Sequence, residues 1–158
     1  MRKLFLILSL LTIVNYAFAE DLFIEKIKVN GLERIDQETV IIYTKLNVKN
    51  PYTNDIGNRA LKELYKTDLF SDVKIEFLDG LLNITVRENP TINLIRFEGN
   101  KKKNDEDLLS EISLRDRSVY SRSKVKKDVK KLLSLYQRSG RLSTEVTPKV
   151  ETLDDNRV

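Results

Sequence analysis

Apolar residues in this chain change their spacing in an order that occurs twice. From Phe23 to Val29, Phe23, Ile27 and Val29 alternate with Ile24, Lys26 and Lys28, and the run stops at Gly31. Period-two alternation marks a half-buried strand, so a first strand is predicted with Phe23, Ile27 and Val29 facing inward. Asp36 stands where an N-cap belongs and Glu38 falls in the turn that follows, ahead of Val40, Ile41 and Thr44. A short helix is predicted there, ending near Leu46. Beyond Pro51, residues Ile56, Ala60, Leu61, Leu64 and Tyr65 recur at helical spacing and predict a second helix, in which Gly57 costs about 1 kcal/mol relative to alanine. After Asp68 the period returns to two: Val73, Ile75 and Phe77, then Asp79-Gly80, then Leu82, Ile84 and Val86. Asp-Gly between alternating runs is a strong hairpin signal. The unit therefore reads β-α-α-β-β and closes at Glu88 before Asn89-Pro90.

A shift of 68 residues lays a second copy on the first. Ile27, Val29 and Gly31 fall on Ile95, Phe97 and Gly99; Val40, Ile41 and Leu46 fall on Leu108, Leu109 and Leu114; Tyr52 falls on Tyr120; Leu61 and Leu64 fall on Val129 and Leu132. A few extra residues then bring Leu135-Tyr136 level with Leu64-Tyr65. In this copy Ile95 and Phe97 mark the first strand and a helix follows Asn104 or Asp105. A strand runs from Ser143 to Thr152 around Pro148, which lacks the ladder donor and assigns it to a sheet edge. A turn is expected at Asp154-Asp155-Asn156, and the sequence ends at Val158 with the third strand of this copy unaccounted for. On this reading the chain is a truncated or incomplete product.

The first nineteen residues differ from the rest. Arg2 and Lys3 precede the apolar run Leu4 to Val14 and the small-residue signature Ala17-Phe18-Ala19, the layout of a secretory signal peptide cleaved after Ala19. The run is too short for a bilayer-spanning helix, which needs about 20 apolar residues. Export changes how composition is read. Without the signal the net charge falls from +4 to +2. With no cysteine, a chain in an oxidising compartment holds its fold by burial and hydrogen bonds alone. The absence of both His and Cys removes the commonest metal ligands, the usual general base and the thiol nucleophile. Gly-x-Ser-x-Gly and phosphate-binding glycine loops are missing, and an enzyme would have to rest on carboxylates or on Ser139 beside Gly140. No cofactor and no bond-making chemistry are expected.

Taken in order, Ile27-Lys28-Val29-Asn30-Gly31, Leu64-Tyr65, Leu69-Phe70-Ser71-Asp72-Val73 and Val86-Arg87-Glu88 resemble a polypeptide-transport-associated (POTRA) repeat. Ile95-Arg96-Phe97-Glu98-Gly99-Asn100, Leu135-Tyr136, Gly140 and Val146-Thr147-Pro148 resemble the repeat that follows it. The resemblance implies an α+β fold of tandem β-α-α-β-β repeats: residues 20–90 as the first, 91–158 as an incomplete second. Each would be a three-stranded mixed sheet packed on two helices, with strand order one, three, two. Lacking a central strand, the segment from Thr91 onward would be unfolded, partly helical or dependent on another chain. The resemblance further implies a periplasmic part of an outer-membrane β-barrel assembly factor. Its partners would be unfolded outer-membrane proteins and accessory assembly lipoproteins, and its tie to the outer membrane a barrel that this sequence does not contain. Two-partner secretion transporters and a division protein bearing one such repeat are the alternatives.

The binding element is assigned to the edge strand Asp72 to Leu78, with Val73, Lys74, Ile75, Glu76 and Phe77 as its residues, because an exposed edge offers backbone groups to an incoming extended segment. The plainer account makes Val73, Ile75 and Phe77 core residues and Lys74 and Glu76 guards against edge pairing. Residues Glu20 to Pro90 carry 10 basic and 13 acidic groups, whereas Thr91 to Val158 carry 16 and 11. Lys101 to Lys103, Lys124, Lys127 and Lys131 supply the excess. A nucleic-acid surface is set aside because the chain is exported, in favour of a solvated face. Tyr52 and Tyr120 are expected to pack beside the second helices. Asp105, Glu106 and Asp107 are expected at a helix start, where the dipole favours them, rather than in a metal site.

Overall fold

A computed structural model describes residues 22–158; the expected signal peptide lies outside them. The first unit is built from β1 (Lys26–Asn30), α1 (Gln37–Thr44), α2 (Asn54–Lys66), β2 (Phe70–Leu78) and β3 (Leu81–Glu88). Its sheet has the order β1-β3-β2. β3 runs parallel to β1, with Ile27 opposite Leu82 and Val29 opposite Ile84, and antiparallel to β2, with Val73 opposite Val86 and Phe77 opposite Leu82. Asp36 caps α1 by accepting from Thr39 N–H, and Thr53 caps α2 by accepting from Ile56 N–H. The helices cover one face of the sheet, where Ile24, Val40, Leu64, Leu82 and Ile84 are wholly buried.

Two expectations for this unit change. Phe23 is half exposed while Ile24 is fully buried, the reverse of the predicted facing. Alternation breaks just before β1, where Glu25 and Lys26 N–H both donate to Gly80 O and one residue is stepped over. β2 starts earlier than Asp72, at Phe70, with a bulge between those two residues. Gly57 has a packing reason: a Cβ there would lie 2.2 Å from the Tyr52 hydroxyl oxygen.

The second unit contains α3 (Asp105–Glu111) and α4 (Arg122–Arg138) and reproduces the first, atom for atom in places, at the 68-residue shift. The caps Asp36 and Thr53 become Asn104 and Ser121. The bridge Phe23–Pro51 becomes Thr91–Val119. Lys49 N–H to Ile24 O becomes Arg117 N–H to Ile92 O, and both donors sit at positive φ, 71° and 63°. Ile92, Leu108, Ile112, Leu114, Leu132 and Tyr136 form a separate buried cluster. The extra residues appear partly as a longer second helix, 17 residues against 13. Of the outcomes expected beyond Thr91, the partly helical one is found. The strands predicted at Ile95–Phe97 and from Ser143 to Thr152 do not form; among the described residues no further strand lies between them to pair with both. One rung is present, however. Asp155 and Asn156 take positive φ (58° and 50°), as Asp79 and Gly80 do (48° and 76°), but three residues, Asp154 to Asn156, separate the bridged Leu153 and Arg157, where two separate Leu78 and Leu81. Arg157 then bridges Leu153 on one side, antiparallel, and Thr91 on the other, parallel.

Each unit buries one carboxylate. Glu88, at the end of β3, accepts from the N–H groups of Glu33, Arg34 and Ile35 at 2.8, 2.9 and 2.9 Å and from Arg34 Nε at 3.2 Å. Burial pushes its pKa up, but these donors outweigh burial and hold it below the ordinary value. Asp128 accepts from the N–H groups of Ser113 and Leu114 and from the Ser113 hydroxyl. Burial again raises, and the bonds to Ser113, Leu114 and Lys131 lower, with a net depression. On the 68-residue shift Asp128 occupies the place of the buried Ala60.

Gly31 and Gly99 correspond, with φ of 83° and 80°. A Cβ on Gly31 would lie 2.0 Å from Val86 O, whereas one on Gly99 would meet nothing within 4 Å. Gly31→Ala is therefore expected to destabilise the chain by about 3 kcal/mol or more, and Gly99→Ala only by the backbone strain of about 1 kcal/mol, measured as urea unfolding followed by circular dichroism. Glu88→Gln is expected to cost about 2 kcal/mol at pH 7. A depressed folded pKa contributes stability above the unfolded value, near 4.5, and loses it as pH falls through the folded value. The difference between wild type and Glu88→Gln should accordingly close towards pH 3; a constant gap across pH 3 to 7 would refute the charged-cap account.

Candidate polypeptide-binding edge

β2 pairs with β3 along one side only, and among the described residues no strand lies along the other. The Asp79-Gly80 turn makes Leu78–Leu81 the closing hydrogen-bonded pair of the hairpin. Alternation along an antiparallel ladder then turns the N–H and C=O groups of Lys74 and Glu76 towards β3 and those of Val73, Ile75 and Phe77 outward. One contact confirms this phase: Val73 N–H donates to the Tyr65 hydroxyl at 3.1 Å, off the ladder. Tyr65 is carried on α2 and its hydroxyl also reaches Asp72 Oδ1 at 3.4 Å, so the first outward amide is occupied. Ile75 and Phe77 are left as two open rungs.

Side chains divide the strand in the opposite sense. Val73 is buried, and Ile75 and Phe77 pack against the core. Phe77 stacks on Tyr52 with ring centroids 4.5 Å apart, which satisfies the expectation that Tyr52 packs beside α2; burial raises the Tyr52 pKa. Lys74 and Glu76 stand in solvent on the outer face and pair with each other at 2.8 Å. Core anchoring of the side chains and availability of the backbone thus coexist in the five residues named from sequence.

Beside the two open rungs lies a recess of about 380 Å³ lined by Leu22, Tyr52, Thr53, Asn54, Ile75 and Phe77. Its surface is mainly polar, with Ile75 and the rings of Tyr52 and Phe77 among its walls, and it adjoins the unpaired backbone groups that β-strand addition uses for affinity. Sequence reasoning missed this recess and the Tyr65 cap, since both join residues from different elements. β1 is the opposite edge of the sheet. It is shorter, and the residues just before it are already bonded to the 49–52 loop, with Ile24 N–H on Asn50 O and Tyr52 N–H on Leu22 O.

The remaining candidates resolve as packing or solvation. Tyr120 packs in the second cluster. Asp105, Glu106 and Asp107 form the first turn of α3 behind Asn104. Lys131 pairs with Asp128, and Lys124 approaches Asp68 at 3.7 Å. Lys101 and Lys102 are exposed. The two units touch through Asp68, which accepts from the hydroxyls of Ser121 and Ser123. They touch also through Arg34, which reaches Asn89 O and the Thr91 hydroxyl.

Comparison with known proteins agrees with this architecture. Residues 90–158 match the family model described as POTRA, surface antigen variable number repeat. The outer membrane protein assembly factor BamA of Neisseria meningitidis is 33% identical over 141 residues, covering 87% of this chain and 18% of that protein. BamA of Nitratidesulfovibrio vulgaris is 29% identical over 132 residues, covering 81% and 17%. The chain thus spans about a fifth of the length of these relatives. The N-terminal domain of Omp85 from Thermosynechococcus elongatus superposes with a TM-score of 0.64 at 15% identity, over 85% of this chain and 59% of that one. The first two POTRA repeats of Omp85 from Anabaena superpose with a TM-score of 0.55 at 12% identity, over 85% and 90%. Residues 90–158 thus match the POTRA family model, the first unit has the β-α-α-β-β order, and the chain is similar over most of its length to BamA.

Proposed function

We propose that this chain is a periplasmic POTRA segment of an outer-membrane β-barrel assembly factor, and that it holds unfolded outer-membrane proteins by adding one of their extended segments to β2. In this reading residues 1–19 direct export, 20–90 form the first repeat and 91–158 the second, and no bond is made or broken. The observation that carries it is the pair of open rungs at Ile75 and Phe77 beside the recess that Tyr52 walls. Strand addition draws affinity from main-chain hydrogen bonds, which every client supplies whatever its sequence, and barrel strands alternate apolar and polar residues. Lys74 and Glu76 limit the other consequence of an open edge, pairing with a second copy. Accessory assembly lipoproteins are the further partners that this reading entails, and the outer membrane is the place of work.

A ten-residue peptide of alternating apolar and polar residues, taken from a barrel strand, should slow amide exchange at Ile75 and Phe77 and leave Val73, already bonded to Tyr65, little changed. Ile75→Pro removes one outward donor at a position where an edge strand accepts proline, and should weaken binding about tenfold while circular dichroism stays native. Undiminished binding by Ile75→Pro, or exchange slowed in wild type only away from β2, would sink the edge-strand reading.

A further inference from the structure

α4 differs from the other helices in its charge. Its 17 residues carry seven cations and one acid, Asp128, whereas α2, the equivalent helix of the first unit, carries three and two. Asp128 faces inward and is taken up by Ser113 and Leu114. Three of the cations have an acid within reach: Lys124 approaches Asp68, Lys131 approaches Asp128 and Arg138 approaches Glu111, at 3.7, 3.3 and 3.5 Å. The other four, Arg122, Lys126, Lys127 and Lys130, are exposed and form no ion pair among the described residues.

The four are placed so that they repel one another. Arg122, Lys126 and Lys130 follow each other along one side of the helix, about one turn apart, and Lys127 stands three residues from Lys130. Like charges at these spacings destabilise a helix. The helix dipole adds to the strain: α1, α2 and α3 each hold an acid in the first turn, Glu38, Asp55 and Asp105 among them, whereas α4 has none there and opens with Arg122 and Lys124. Cations at that end oppose the dipole. The fold does not ask for such a face, because on the 68-residue shift the same four places in α2 are Asn54, Asn58, Arg59 and Lys62. The free chain thus holds a self-repelling face that a neighbouring anion relieves.

What the face lacks selects the anion. Every exposed position of α4 is a cation, Ser123 or Gln137, so there is no aromatic or apolar anchor of the kind that protein interfaces are built on, and such interfaces are poor in lysine. Lysine is a hydrated point charge on a flexible stem, without the fork geometry of arginine, and it suits phosphates that are not fixed in place. We infer that α4 docks by this face onto a membrane surface containing anionic phospholipid, with Arg122, Lys126, Lys127 and Lys130 against the headgroup phosphates. With nothing apolar to insert, the helix lies at headgroup level. The contact belongs to the second unit and stands apart from strand addition at β2.

The probe is vesicles of phosphatidylglycerol and phosphatidylcholine in equal parts, compared with phosphatidylcholine alone, in a sedimentation assay at low salt. The chain is used from Glu20, the form that cleavage of the predicted signal leaves, so that the apolar run Leu4 to Val14 does not itself bind lipid. It should sediment with the anionic vesicles only and be released by about 0.5 M salt. Each cation near such a surface contributes about fivefold, so Lys126→Gln with Lys130→Gln should weaken binding about twentyfold, and adding Arg122→Gln and Lys127→Gln at least about a hundredfold. The four changes remove repulsion, so the urea midpoint of the variant should be no lower than that of the wild type. Lys101→Gln with Lys102→Gln removes the same charge as the first pair from a loop and should leave binding within about twofold, and Ile75→Pro should leave it unchanged. Equal binding to neutral vesicles, a loss as large from the loop pair as from Lys126 and Lys130, a loss with Ile75→Pro, a lowered urea midpoint, or a preference for duplex DNA over the anionic vesicles would each overturn the inference.

Discussion

The fold rests on a strand that arrives last and lies in the middle. β1 and β2 share no hydrogen bond; each is paired only to β3, so the sheet does not exist until the chain has passed through both helices and turned at Asp79-Gly80. Much else in the first unit follows from that insertion. Leu82, Ile84 and Val86 complete the core that Ile24, Val40 and Leu64 line from other elements. Gly31 is bare because the β3 backbone presses on it. The last inward position of β3 lies beyond the helices and over the 33–35 loop, whose three amides converge on Glu88. A carboxylate can be buried there because its charge is met by donors that would otherwise lack acceptors.

Glu88 also passes the order of the first unit to its neighbour. The guanidinium of Arg34, fixed on Glu88 by Nε, extends to Asn89 O and to the Thr91 hydroxyl, and Asn156 Nδ2 reaches Glu33 Oε2 at 3.0 Å. On the far side of Pro90, Asp68 serves the N-cap of α4 through Ser121 while its own carbonyl accepts from Asn89 Nδ2. Asp68 sits at φ 59°, a strained backbone for a residue with a Cβ, at the point where the first unit meets the second helix of the next. Comparing the two units separates what is local from what is not. Caps, the glycine at the end of the first strand, the positive-φ loop residue and a turn with two consecutive residues at positive φ all recur, because each is decided within a few residues; among the described residues the ladders, which join distant segments, do not.

The same division explains what could be seen in the sequence. Alternation and helical spacing located all five elements of the first unit and both helices of the second, and the 68-residue shift paired residues that the structure places equivalently, Val40 with Leu108 and Leu46 with Leu114. The order one, three, two came from resemblance, since no local pattern states which strand is central. Phe23 was assigned to the wrong face because a single stepped-over residue before β1 inverts parity without altering the composition of the run. Tyr65 on Val73 N–H and the three amides on Glu88 join residues 8 and about 54 apart, beyond the reach of periodicity. Asp128 left a trace that could have been read: an acid where the matching residue of the first copy is Ala60, inside an apolar stripe, calls for a buried partner.

A one-sided edge sets a limit on how tightly a strand is held, and that limit bears on the proposed work of the segment. At β2 an incoming segment gains the outward groups of Ile75 and Phe77, four backbone hydrogen bonds at about 1 kcal/mol each. That is at or below the cost of bringing two molecules together, so a single edge holds its client weakly and lets it go. Such brevity suits handling of chains that must move on to a membrane, and repeating the edge along tandem units raises the effective concentration without tightening any one grip. Under the proposed function, hydrogen bonding from one side only is thus enough to make capture at β2 transient.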